Sequence, residues 1–144
     1  MDNKKLLELI PQNKFDTSTL CKLRKLDEKE ISFILPELFL WIADYNWPIA
    51  EDVGNILVKY PNSLIHLIKK ALEVKEEDDI LKYWIIIKIL TQLPHKVQQE
   101  LYPTIKRICE YPSAIEVYEG VQEAAIEYMK NLLKKKNCDI LITL

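Results

Sequence analysis

The sequence predicts an all-α protein, a superhelix of two to three antiparallel helix pairs in one compact domain. Three observations lead to this class. The chain of 144 residues contains only two glycines, which leaves little material for hairpin turns or glycine-rich phosphate loops. Its seven prolines separate segments of helical length. Within these segments apolar residues recur every three to four positions, the spacing of an amphipathic helix.

Residues 1–35 are predicted to form short N-terminal helices. Asp27 followed by Glu30 matches the capping-box pattern, in which each side chain bonds the other residue's backbone N–H. Proline is favoured in the first turn of a helix, so Pro36 is expected to open the next helix.

Residues 36–112 are predicted to form the paired helices. One apolar stripe follows Pro48 and another follows Pro61, and each gives its helix one face to bury. The stripes consist of Ile49, Val53, Ile56, Leu57 and Tyr60, and then Leu64, Leu67, Ile68, Ala71 and Leu72. Residues 78–93 are apolar nearly all round, which predicts a central helix covered on most sides. A further stripe follows Pro94, where Pro103 is expected to kink or split the helix.

The spacing of two tryptophans indicates a repeat. Trp47 and Trp84 are 37 residues apart, near the ~40-residue period of HEAT-like helix pairs. A compact irregular bundle is the alternative architecture. Residues 113–137 are predicted to form a long closing helix that Asn137 ends, and residues 138–144 a tail, so that 1–144 is one domain.

Composition excludes several classes of function. A net charge of −2 and a pI near 5.8 give no general attraction for nucleic acid, so nucleic-acid binding is not expected. The longest apolar run, residues 83–87, is far shorter than a membrane span, and no export signal is visible. The three cysteines form no CxxC pair, which favours reduced, mostly buried thiols. These features together predict a cytoplasmic protein.

The residue patterns of catalysis are missing as well. His66 and His95 stand alone, and no serine lies in GxSxG, so we expect no catalytic residue, no metal and no cofactor. The acidic segment 73–79 is interpreted as a solvated loop that favours the start of the next helix, rather than as a cation site.

One constellation is a candidate partner-binding site: Asp44, Asn46, Trp47, Lys82, Tyr83 and Trp84. In a stack of helix pairs, residues near the starts of equivalent helices fall on the same edge, so these six are expected to line one groove. Tryptophan and tyrosine offer rigid contact area with a polar group, and the charged residues orient a ligand. Under the structural alternative, both tryptophans belong to the core, while Asp44 and Lys82 merely pair or cap.

Several strings resemble a known family. They are LIPQNKFD (9–16), ILPELFLWIADYNWPIA (34–50) and DDILKYWI (78–85), with a closing EYP and VYEGVQEAA. These strings are similar to the bacterial family called domain of unknown function 5071. The resemblance covers nearly the whole chain except the tail after Lys136, implies a HEAT-like all-α fold and supplies no catalytic residues.

The sequence therefore predicts a non-enzymatic helical-repeat module that binds a protein or peptide. A more specific version is an antitoxin or immunity-type inhibitor of another protein. The alternative from another class is a HEAT-like enzyme of nucleic-acid repair, with Asp44, Trp47 and Trp84 in a basic concave groove. The oligomeric state is left open.

Overall fold

The computed structural model describes the backbone of residues 1–75 and 80–143, with side chains described up to Lys135. This part of the chain is helical and contains no β-strand, which confirms the all-α class. The helices are α1 (Asn3–Leu7), α2 (Leu20–Leu23), α3 (Glu28–Phe39), α4 (Ala50–Leu57), α5 (Pro61–Ala71), α6 (Leu81–Trp84), α7 (His95–Glu110), α8 (Ala114–Tyr118) and α9 (Val121–Thr143). Of the acidic segment 73–79, residues 76–79 lie outside the described residues.

Helix α3 begins where the sequence predicts and ends later than expected. The capping box is present: the Glu30 backbone N–H donates to the Asp27 carboxylate at 2.8 Å, and the Asp27 N–H donates to Glu30 at 3.2 Å. Pro36 does not open a helix but lies inside α3, so no helix boundary separates residues 1–35 from residue 36. A proline inside a helix costs about 3 kcal/mol. The buried residues Ile31, Ile34, Leu35, Leu38 and Phe39 on both sides of it offset this cost.

Helices α4 and α5 carry the two apolar stripes. Pro61 is the first residue of α5, a position that suits proline because its fixed φ angle matches that of a helix. Both stripes face the core, which contains Val53, Ile56 and Leu57 from α4 and Leu64, Ile68 and Ala71 from α5. The helices predicted after Pro48 and Pro61 are therefore confirmed.

The segment predicted as an all-round apolar helix is a helical rod with three kinds of turn. After α6 the chain makes a π-helical stretch, Ile85–Ile89, and a 3₁₀ turn, Leu90–Gln92; we call residues 81–92 the central rod. Ile85, Ile86, Ile89 and Leu90 are buried. Ile87, in contrast, is 36% exposed, so one side of the rod is left open to solvent.

Helix α7 is a single helix of 16 residues with Pro103 in its interior, so this proline does not split it. The reason is the same as in α3, because buried residues precede and follow the proline: Val97, Leu101, Ile105 and Ile108.

The closing segment differs from the prediction at two points. The expected single helix over 113–137 is two helices, α8 and α9, separated at Gly120, whose φ of 78° is a left-handed conformation that suits glycine. Asn137 does not end α9, which continues to Thr143, so the predicted tail 138–144 is helical through that residue. No glycine or proline follows Gly120 in the sequence, and asparagine alone is a weaker stop than glycine.

The helices pack in two series. In the first, α3 packs on α5 and α5 on α7; in the second, the central rod packs on α9, which also contacts α7. Helices α7 and α9 are antiparallel, because the Tyr128 hydroxyl bonds Gln98 and the Gln122 side chain bonds the Cys109 carbonyl.

The central rod runs parallel to α9. At its start Lys82 bonds Glu116, just before α9. At its end the Leu93 carbonyl accepts a bond from Gln98, which also contacts Tyr128 in α9. The rod and α9 therefore run side by side for about three turns.

Two described cysteines are free thiols. Cys109 is half-buried, but Cys21 is exposed, so the expectation of mostly buried thiols is wrong for Cys21. It lies on α2, whose buried residues are Leu20 and Leu23. A four-residue helix buries only one side, and Cys21 falls on the other.

Candidate functional site

The structure distributes the six predicted residues over separate surroundings instead of one groove. Asn46 and Trp84 line one cavity, and Tyr83 lines a second, larger one. Lys82 is buried, with 2% of its surface exposed. The cause is the helical rotation between adjacent residues, which sends Lys82, Tyr83 and Trp84 in three directions from one short helix.

Asp44 and Trp47 belong to the turn that precedes α4. The Asp44 carboxylate accepts the Asn46 backbone N–H at 2.9 Å, and its carbonyl accepts the Trp47 N–H at 3.0 Å. The Trp47 ring is partly buried against the core and meets Trp41 edge to face at 5.8 Å between centroids. Asp44 is therefore a cap of its own turn, as the structural alternative expects.

Lys82 belongs to a buried ionic cluster with Glu116 and Arg107. Its ammonium donates to Glu116 Oε2 at 2.9 Å. The Arg107 guanidinium donates to both oxygens of the same carboxylate, at 2.5 and 3.0 Å, and the Ser113 backbone N–H donates at 2.8 Å. Glu116, 1% exposed, thus accepts four hydrogen bonds in a site closed to water.

Burial and hydrogen bonding act in opposite directions on this carboxylate. Burial alone raises the pKa of Glu116, but the bonds from Arg107, Ser113 and Lys82 outweigh it and lower the pKa from 4.5 to about 2. Glu116 is therefore ionised at neutral pH and has no proton to donate in acid–base chemistry. Arg107 also bonds the Leu72 carbonyl at 2.9 Å, so the cluster connects α5, α6, α7 and α8.

The first cavity, which we call the Tyr45–Trp84 pocket, has a volume of about 340 Å³. Tyr45 and Trp84 stack at 5.9 Å, and Lys88 lies 5.8 Å from the Tyr45 ring centroid. The other lining residues are Asn46, Glu51, Asn55 and Gln92. The lining thus holds one cation and one anion among neutral amides, which does not make the basic stripe that a nucleic-acid enzyme requires.

Gly54 leaves room for the Tyr45 ring because it has no side chain. A Cβ at this position would overlap the Tyr45 hydroxyl and lie 3.1 Å from the ring carbon that carries it. Glycine inside a helix costs about 1 kcal/mol relative to alanine, yet Gly54 stands in the middle of α4. The close approach of Tyr45 explains why this position requires glycine.

We expect Gly54→Ala to destabilise the protein by about 1 kcal/mol, because displacement of Tyr45 from Trp84 outweighs the gain in helix propensity. Urea unfolding measures the change, and near-UV circular dichroism reports the loss of ring stacking. In a Tyr45→Ala background the same substitution is expected to stabilise by about 0.5–1 kcal/mol. Equal effects in both backgrounds would show that Tyr45 does not set the requirement for glycine.

The second cavity, which we call the Tyr83 groove, is an open groove of about 1030 Å³ between the central rod and α9. Its floor is apolar and includes the buried residues Ile86, Leu93 and Ala124. Ile80 and Ile87 lie on its wall and are 41% and 36% exposed. Apolar surface that stays open along a groove is typical of an interaction site.

Cys109 is not activated as a nucleophile, and no metal-binding group is found among the described residues. Burial, and secondarily Glu110, raises the pKa of the Cys109 thiol, the opposite of what an activated cysteine requires. In residues 1–75 and 80–135 no group of three His, Cys, Asp or Glu side chains is placed to hold a metal ion. None of the described helices is both long and apolar enough to cross a membrane.

Sequence reasoning missed the residues that shape both cavities. Tyr45 stands between the predicted Asp44 and Asn46, and nothing in its spacing distinguishes it from a core residue. Ile87 sits in the apolar run of the rod, which the sequence predicts to be covered on most sides, yet it is 36% exposed. Glu116 did carry a signal, since Ser113 and Glu116 form a capping box with the spacing of Asp27 and Glu30.

Comparison with known proteins identifies one family. The family model described as "Domain of unknown function (DUF5071)" matches residues 9–129. No curated protein matches the chain.

Proposed function

This chain belongs to the DUF5071 family, a domain of unknown function, and we propose that it is a non-enzymatic helical-repeat module that binds a segment of a partner polypeptide in the Tyr83 groove. The observation that carries this proposal is the apolar floor of the groove, which is open to solvent between two parallel helical elements. The groove has a volume of about 1030 Å³, at the upper end of the volumes of small-molecule pockets, and this volume suits a polypeptide segment.

The packing of the helices supports the repeat. Helices α3, α5 and α7 contact one another in succession, as the first helices of stacked pairs do, while the central rod and α9 pack on each other in the series of second helices. Helix α4 and the central rod are neighbours in this second series, since Ile89 lies 3.4 Å from the Cβ position of Gly54. We assign this arrangement to a HEAT-like superhelix, in which extended surfaces between helices bind partners.

The nucleic-acid alternative is not carried forward. Lys82, a cation adjacent to Trp84 in sequence, is neutralised by Glu116, and the cation that lines the Tyr45–Trp84 pocket, Lys88, is accompanied there by Glu51. An inhibitor of another protein remains a version of the same proposal, because it too requires a polypeptide-binding surface. The proposal includes no catalytic residue and no cofactor.

The test uses a displayed library of random 14-residue peptides selected on the purified protein. We expect enriched peptides to bind the parent and to lose at least about tenfold in affinity on Ile87→Arg, because a charge on the wall of the groove opposes apolar contact. Leu40→Arg is the matched control, since Leu40 is an exposed aliphatic residue on a 3₁₀ turn far along the chain from the groove.

Fluorescence anisotropy with the enriched peptides measures the affinities, and circular dichroism verifies that both variants stay folded. Peptides that bind Ile87→Arg and Leu40→Arg equally well would place the binding surface elsewhere. Failure to enrich any peptide on the parent would overturn the proposal itself.

A further inference from the structure

The α9 side of the Tyr83 groove carries a row of carboxylates. Glu123 and Glu127 line it four residues apart on one side of α9, and Glu119 lines it just before that helix. The described lining also includes one lysine, Lys135, and one histidine, His95. This flank of the groove is therefore negatively charged at neutral pH.

The other wall is a mainly apolar row along the central rod, beginning at the residue that precedes the rod. Ile80, Tyr83, Ile87 and Thr91 line the groove at intervals of three, four and four residues, so they form one continuous ridge. At ~1.5 Å per residue this ridge is about 16 Å long. Its length corresponds to about three turns of a helix lying beside it.

The shape of the walls selects a helical occupant over an extended one. Both walls are helices, and the described part of the chain has no strand whose edge an extended peptide could pair with. An extended segment would leave its backbone N–H and C=O groups unpaired against the apolar floor, whereas a helix satisfies them internally.

We propose, on the basis of the function proposed above, that the occupant of the Tyr83 groove is an amphipathic basic helix of a partner protein. Its apolar face lies against the ridge of Ile80, Tyr83 and Ile87. Lysines or arginines on its flank, spaced four residues apart, pair with Glu123 and Glu127. The apolar contacts provide most of the affinity, and the carboxylates determine which helices bind and in which direction they lie.

The test uses two synthetic 14-residue helical peptides with the same leucine face. One has lysines at two flank positions four residues apart, and the other has glutamates at the same positions. We expect the lysine peptide to bind the parent at least tenfold more tightly than the glutamate peptide, and raised salt to reduce this difference.

A charge exchange makes the test specific for the two carboxylates. The double variant Glu123→Lys, Glu127→Lys is expected to prefer the glutamate peptide, which reverses the selectivity of the parent. The matched control, Glu100→Lys, changes an exposed carboxylate on α7 that is not among the groove residues, and should leave the preference unchanged.

The outcomes separate the two proposals. If both peptides bind the parent equally and Ile87→Arg abolishes the binding of both, the proposed polypeptide-binding groove is supported. The proposal that its occupant is a basic helix is then wrong. If neither peptide binds while library peptides do so in an Ile87-dependent way, the helical occupant is likewise wrong. If light scattering shows that the parent is a dimer and that Ile87→Arg dissociates it, the occupant is a second copy of this chain. That result would overturn the assignment to a partner protein.

Discussion

Replacing Glu116 with alanine is expected to lower the free energy of unfolding by about 3–5 kcal/mol, the largest single effect we predict for this chain. The substitution leaves the ammonium of Lys82, 2% exposed, without its counter-charge, and removes the two bonds that the Arg107 guanidinium makes to the Glu116 carboxylate. Urea unfolding followed by circular dichroism measures the loss. The control is Glu110→Ala, which breaks an exposed pair with Lys106 at 4.0 Å and should change stability by less than about 0.5 kcal/mol.

The dependence of stability on pH gives an independent test of the same carboxylate. Folding lowers the pKa of Glu116 from 4.5 to about 2, so the folded state holds this proton less tightly than the unfolded state does. The stabilisation is complete above about pH 5 and is lost as the pH falls toward 2. In Glu116→Gln this part of the acid dependence should vanish. An unchanged slope of stability between pH 5 and 2 would contradict the assignment of the low pKa to Glu116.

Trp84→Ala is expected to destabilise the protein by about 3 kcal/mol, at the lower end for loss of a large aromatic side chain because the ring is only partly buried. The indole stacks on Tyr45 at 5.9 Å and meets Tyr83 edge to face at 5.2 Å, so its removal leaves both rings without support.

Chemical denaturation measures this loss, and Trp84→Phe, which keeps an aromatic face, should retain most of the stability. Tyr118→Ala is the matched control, because that ring is 91% exposed and its removal should cost less than about 0.5 kcal/mol. A loss below about 1 kcal/mol for Trp84→Ala would show that the indole is a surface group rather than the support of the two tyrosines.

Apolar periodicity predicted the helices wherever burial on one face decides the structure. Helices α4, α5 and α7 lie where their stripes indicate, and Asp27 with Glu30 correctly marked the start of α3. The errors occur where local preference competes with packing. The sequence predicts that Pro36 opens a helix and that Pro103 kinks or splits one, but buried neighbours on both sides keep α3 and α7 continuous.

The candidate site was less predictable, because it depends on the direction in which adjacent side chains leave a helix. Lys82, Tyr83 and Trp84 are neighbours in sequence but serve an ionic cluster, a groove and a pocket. The partner of Lys82 lies 34 residues away, in a helix whose position depends on the whole fold. Sequence spacing alone does not specify such a contact, although the capping box at Ser113 indicated that Glu116 has a local role.

The ionic cluster also reduces the dependence of the fold on an unbroken chain between α5 and α6. Arg107 holds the Leu72 carbonyl, and Glu116 holds Lys82, so the two ends of the connection between α5 and α6 are both attached to the C-terminal part of the chain. Helix α5 also packs on α7 through side chains rather than through this connection. A chain cut between Leu72 and Lys82 would thus retain the contacts by which its two pieces recognise each other, which makes this connection a natural place to divide the protein into complementing fragments.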